Sequence, residues 1–183
     1  MTIRTARVGL TLLAGLALVG VTGARPVAQD RSATLAKELT SLLQERKLDS
    51  IAARHPAAAD QFVAALFFPG QLLVVWARTT APAILNEKLI RREFRDVYID
   101  LNSASIPESR VMISDGSADG LRPRREANQP FDTHDANGKI TRFDGNWRED
   151  KMSEVDYMKI YTQADSAYVT ALEALLSELK KTS

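Results

Sequence analysis

The stretch QFVAALFFPGQLLVVWAR, Gln61 to Arg78, leaves few ways for this chain to fold. Two runs rich in valine, leucine and aromatics, Phe62 to Phe68 and Leu72 to Arg78, are divided by Pro69-Gly70. Proline presets φ for a turn and glycine accepts the positive φ that follows, so the pattern predicts a buried β-hairpin. The rival is one hydrophobic helix, and Pro69-Gly70 at its centre would break it.

Around this hairpin the periodicities change. Asp30 to Lys47 predicts a helix capped by Ser32, with Leu35, Leu39, Leu42 and Leu43 on one side and Lys37, Glu38, Glu45 and Arg46 on the others. Leu48 to Asp60 carries no clear element, and Pro56 stops any helix there. Pro82 to Phe94 predicts an amphipathic helix; Val97 to Asn102 alternates as a half-buried strand; Arg110 to Ser114 predicts a strand ended by Asp115-Gly116. Ser117 to Pro130 has no period and is expected to be a mobile surface loop. From Ser153, with Asp156 three residues on as a capping box, the residues Tyr157, Tyr161, Ala164, Tyr168, Leu172, Leu175, Leu176 and Leu179 recur at helical steps. They predict one long helix, or two with a bend near Asp165.

The N-terminus speaks to compartment. Arg4 and Arg7 precede an uncharged apolar run, Val8 to Val21, as in a secretory signal peptide. The run falls short of the roughly 20 apolar residues of a membrane span, although an uncleaved anchor is the alternative. Cleavage fits after Ala24, or after Ala28. The expectation is an exported bacterial protein, periplasmic or secreted, with residues 1–24 as signal and 25–183 as one globular domain. The membrane enters only for export.

Composition then removes whole chemistries. With no cysteine among 183 residues, thiolate catalysis, cysteine zinc sites and iron–sulfur clusters are excluded. The 24 basic and 23 acidic residues give +1, and loss of Arg4 and Arg7 leaves about −1. Nucleic-acid binding normally needs a basic excess, so no nucleic-acid partner is expected. Serine-nucleophile and phosphate-loop motifs are also missing from the sequence. Whether the protein is an enzyme is not legible at this level, and neither is its oligomeric state, for which a homodimer is compatible.

Four local features carry candidate chemistry. THDANGKITRFD, Thr133 to Asp144, matches a calcium loop at Asp135, Asn137, Gly138 and Ile140, but has threonine at the first position and a short aspartate at the twelfth. Asn137-Gly138 alone suffices for a type I′ hairpin, the preferred reading, which puts Thr133 and Ile140 on neighbouring strands. His55 and His134 lack metal-ligand spacing, and no metal site is expected. Arg91, Arg92 and Arg95 offset a helix end, whereas Arg122, Arg124 and Arg125 either are solvated or clamp an anion. Trp76, near Arg78, either packs in the core or borders a pocket for a flat ligand.

Hairpin, polar turn ARTTAPAILNEK, short helix, two strands, later hairpin and terminal helix, in that order, resemble the split-barrel flavin-binding proteins related to pyridoxamine phosphate oxidase over about Phe62 to Trp147. The resemblance implies a barrel-like antiparallel sheet and an FMN whose phosphate is held at that polar turn, with Arg78, Thr79 and Thr80 as the positions to test and Trp76 as a further candidate for cofactor binding. Where that family carries serine and lysine, this chain has Ala83 or Ile84 and Leu85 or Asn86. The expected fold is α+β, an antiparallel sheet with a helix at each end. The expected function is a non-catalytic binding or interaction module; the alternative is a split-barrel oxidoreductase or binding protein using flavin or heme.

Overall fold

The computed structural model describes residues 27–54, 56, 61–78, 111–136 and 138–181. It is an α+β fold. Helix α1 (Val27–Glu45) leads into six strands, β1 (Ser50–Arg54), β2 (Gln61–Phe68), β3 (Gln71–Arg78), β4 (Val111–Asp115), β5 (Asp132–Ala136) and β6 (Lys139–Phe143), and helix α2 (Glu154–Lys181) closes the chain. Every neighbouring pair is antiparallel and the strands lie in sequence order, β1 to β6. The described sheet is therefore an open meander and does not close into a barrel.

The central hairpin forms as the sequence predicts. Gly70 has φ +77°, and the register runs from Phe68 opposite Gln71 to Gln61 opposite Arg78. Phe62 to Leu66 are all buried, because both sides of this strand are covered. One side carries Val63 and Ala65, which join Ile51, Val74, Ile113 and Phe143 against the helices. The other buries Phe62, Ala64, Leu66 and Val75. A strand covered twice reads as an unbroken apolar run instead of an alternating one.

One predicted boundary moves, and one strand is added. Helix α1 begins at Val27, so Ser32 is no cap but a buried mid-helix residue bonded to the Asp165 side chain on α2. Strand β1, SIAAR, has no counterpart in the sequence reading, since Ser50 to Ala53 are small or apolar and all buried, without alternation. Helix α2 is continuous through Asp165. Its start is capped as expected: the Asp156 N–H donates to Ser153 Oγ at 3.1 Å, and Ser153 Oγ donates to the Asp156 carboxylate at 2.6 Å. All eight periodic residues named for it are buried.

The helices run parallel, for Arg31 meets Glu173 and, one step of seven later on both, Glu38 meets Lys180. These exposed pairs add little; the joint is held by Leu35, Leu39 and Leu43 against the buried face of α2. Each such leucine contributes about 1.5–3 kcal/mol by leaving water. The expected helix Pro82–Phe94, the strand Val97–Asn102, the arginines 91, 92 and 95, His55 and the signal segment lie outside the described residues.

Candidate functional site

At one end of the sheet the register sets two carboxylates side by side. The β4–β5 pairing ends at Ser114 and Thr133, and Asp115 and Asp132 are the residues next beyond that pair, close enough for the charge of one to act on the other. Leu72 flanks Asp115 and Phe143 flanks Asp132 in the same row, on the side that faces the helices. Like charges directly across a ladder are unfavourable, and both groups are buried. Something must be gained by placing them there.

What they gain is the segment between them. Asp115 Oδ1 accepts from the N–H groups of Ser117 at 3.3 Å and Asp119 at 3.1 Å, and its Oδ2 accepts from Gly120 N–H at 2.8 Å and the Tyr168 hydroxyl at 2.9 Å. Asp132 takes the loop's two flanks, Gly116 N–H on Oδ1 at 2.9 Å and Arg122 N–H on Oδ2 at 2.8 Å. From α2, the Tyr161 hydroxyl donates to Leu121 O at 3.0 Å and the Tyr157 hydroxyl donates to Pro123 O. Leu121 is fully buried as an apolar plug. The stretch expected to be a mobile loop is thus anchored to the sheet and α2 from Gly116 to Pro123, and Arg122 ties in Glu126 and Gln129. Its polar composition hid this, because the anchors are tertiary.

The arrangement bears on protonation. Burial, then the neighbouring Asp115 charge, pushes the Asp132 carboxyl up to about 7 against the pull of its two N–H donors. Burial likewise raises Asp115, opposed by its bonds to Gly120, Tyr168 and Asp119. Among the described residues no side-chain cation bonds either carboxylate: the Arg122 guanidinium is occupied by Asp119, Glu126 and Gln129. Since Asp132 is raised on folding from an ordinary 3.8 to about 7, its protonated form favours the fold. That stability is complete below about pH 4 and lost as pH climbs through about 7, by up to about 4 kcal/mol. Half-buried His134, lowered chiefly by burial, works in the opposite sense at and below its ordinary range. We expect the urea midpoint to fall between about pH 4 and pH 7 at fixed ionic strength; a midpoint that climbs across this window would contradict the buried-pair assignment.

Above Asp132 the loop leaves a narrow cleft of about 10 Å³, room for about one water, lined by Arg122, Arg124, Arg125, Gln129 and Phe131 together with Asp119, Glu126 and Asp132 itself. Arg124 and Arg125 are exposed, and neither has an ion-pair partner among the described residues. Of the three arginines weighed as an anion clamp, Arg122 is therefore consumed internally while the other two are available. Beside the cleft, THDANGKITRFD forms the β5–β6 hairpin. Thr133 pairs with Arg142 and Asp135 with Ile140, Gly138 has φ +86°, and Asp135 Oδ1 accepts from Gly138 N–H at 2.7 Å. Asp135 thus closes a turn. No group of three or more acidic or histidine side chains suited to a metal ion occurs among the described residues.

No family model, no curated protein and no solved structure matches the chain. The positions that the flavin resemblance singles out are only partly described. Trp76 and Arg78 belong to β3, where Trp76 pairs with Val63 and Val111, but their side chains, like Thr79 and Thr80 altogether, lie outside the described residues. Asp115, Asp132 and Tyr168 were not candidates from sequence. The available signal was three tyrosines on the apolar face of α2, since each buried hydroxyl demands a polar partner.

Proposed function

We propose that this protein is an exported, non-catalytic binding module that recognises an anionic ligand with its anchored loop, residues 116–131. The observation that carries this reading is the pair of exposed arginines, Arg124 and Arg125, on a loop fixed by two buried aspartates. A preorganised loop loses little freedom on binding, and guanidinium groups suit carboxylate or phosphate geometry. The aspartates support binding over catalysis, because all four of their oxygens are engaged in holding backbone or tyrosine donors. Export rests on the charged and apolar pattern of Met1 to Val21.

Native mass spectrometry of the protein isolated from its own host tests both parts. The expected spectrum has a chain beginning at Arg25, carrying an additional small acidic mass lost on denaturation. A full-length chain would remove the cleaved-signal reading, and retained flavin or heme would favour the split-barrel alternative. The same spectrum distinguishes a monomer from a homodimer.

A further inference from the structure

We propose that the Arg125–Glu126 bond is the site at which an arginine-specific endoprotease cuts the folded protein, converting it into two chains that stay together. The inference does not rest on the binding-module reading, because it needs no bound ligand. An endoprotease takes its substrate as an extended segment and pairs with the backbone as an added strand, so it needs exposure, free N–H groups and a side chain for its specificity pocket. Arg124 to Asn128 are exposed in succession. Among the described residues neither the Arg125 nor the Glu126 N–H has a partner, and the first backbone bond beyond them runs from Gln129 N–H to Glu126 O at 3.2 Å. The Arg124 side chain lies over Gly145, where an added Cβ would meet its Cγ at 2.8 Å. Arg125 is left as the side chain to enter an acidic pocket.

The other basic residues of the described loops are guarded at the bond that follows them. Lys47 N–H, after Arg46, donates to Gln44 O at 3.0 Å, and Leu48 N–H, after Lys47, donates to Leu43 O at 2.8 Å. Glu149 N–H, after Arg148, donates to Asn146 O at 3.1 Å, and Met152 N–H, after Lys151, donates to Trp147 O at 3.1 Å. Arg122 is followed by Pro123, whose nitrogen has no hydrogen to offer. At Glu126 the obstacle is a 2.9 Å contact of its half-exposed carboxylate with Arg122, and such pairs hold little. Hydrolysis consumes one water: the Arg125 carbonyl carbon gains a hydroxyl as its bond to the Glu126 nitrogen breaks, and that nitrogen takes the proton. The two products keep the ties that cross the cut. Gly116 and Arg122 N–H still reach Asp132, and the hydroxyls of Tyr157, Tyr161 and Tyr168 still reach Pro123 O, Leu121 O and Asp115. Strand β4 still pairs with β5, and the leucines of α1 still pack on α2. The core stays shut, so parting would expose apolar surface that the cut itself does not.

Trypsin is the probe, applied briefly and sparingly to the full mature chain under native conditions, with the pieces identified by mass. The expected early products are a chain ending at Arg125 and a chain beginning at Glu126. They should elute together at the size of the uncut protein, weigh one water more as a complex, and separate only in denaturant. Arg125→Gln is expected to slow cutting within the loop about tenfold or more, and Lys151→Gln to leave it unchanged. Should Arg125→Gln melt lower than the unaltered chain, the map of early cuts in the latter decides alone. Cutting after Lys47, Arg148 or Lys151 as fast as after Arg125 overturns the site. Loop cutting at unaltered speed in Arg125→Gln, through Arg124, overturns the choice of side chain, and pieces that part without denaturant overturn the two-chain product. None of these outcomes bears on anion binding, which the ligand retained on isolation reads separately.

Discussion

Replacing Asp115 with alanine is expected to destabilise the domain by about 4 kcal/mol. The carboxylate receives four donors, three from loop backbone and one from Tyr168, and is itself fully buried. Alanine would strand all four, and each buried donor without a partner costs about 1–3 kcal/mol, part of which water recovers as the loop lifts. Relief of repulsion with Asp132 offsets some of the loss. This second effect is separately visible: without the Asp115 charge, the Asp132 titration should move down from about 7 towards the ordinary 3.8. Chemical denaturation reads the first effect and carbon-detected NMR titration the second. A loss below about 1 kcal/mol would mean that the loop does not depend on this anchor.

Gly120→Ala should be nearly as damaging, for a steric reason. Gly120 has φ +95°, and a Cβ there would come within 2.5 Å of the Ala33 nitrogen and 2.6 Å of its Cα, both backbone of α1. A helix backbone cannot give way as a flexible side chain can, so the loop must leave α1 or the helix must shift. The expected cost is about 3 kcal/mol or more. Gly138→Ala is the matched control, since its φ of +86° is similar but nothing lies within 4 Å; it should lose only about 1 kcal/mol. Equal losses at the two positions would show that backbone conformation, and not the approach to α1, sets the cost.

What the sequence makes legible here is local. Pro69-Gly70 and Asn137-Gly138 mark turns whose flanks then pair in the expected register, and the tyrosine and leucine steps of α2 predict its buried face. Strand β1 escapes detection because SIAAR is five residues long and buried from Ser50 to Ala53, with no period to detect. Ser32 misleads because serine before an apolar repeat is the usual sign of a cap, whereas here it bonds the Asp165 carboxylate inside the helix pair. The loop from Ser117 to Pro130 is misread for a related reason. Its order is supplied by Asp115, Asp132 and three tyrosines, the farthest 53 positions from its partner, and no local pattern records such bonds. Of the anion clamp, Arg124 and Arg125 were legible as charge, but not the engagement of Arg122 that sets them apart.

The placement of a helix at each end of a sequence-order meander governs how the molecule can be assembled. Each described strand pairs with its neighbour in sequence order, so the described sheet needs only contacts between successive strands. The side of it that carries Val63, Val74, Ile113 and Phe143, however, is closed by α2, which supplies ten buried side chains and follows all six described strands in sequence. A chain emerging N-terminus first thus keeps this side of its sheet open until α2 arrives. Completion of this core is deferred to that helix, and the loop that carries the cleft, pinned to Tyr157 and Tyr161 directly and to Tyr168 through Asp115, acquires its shape only then.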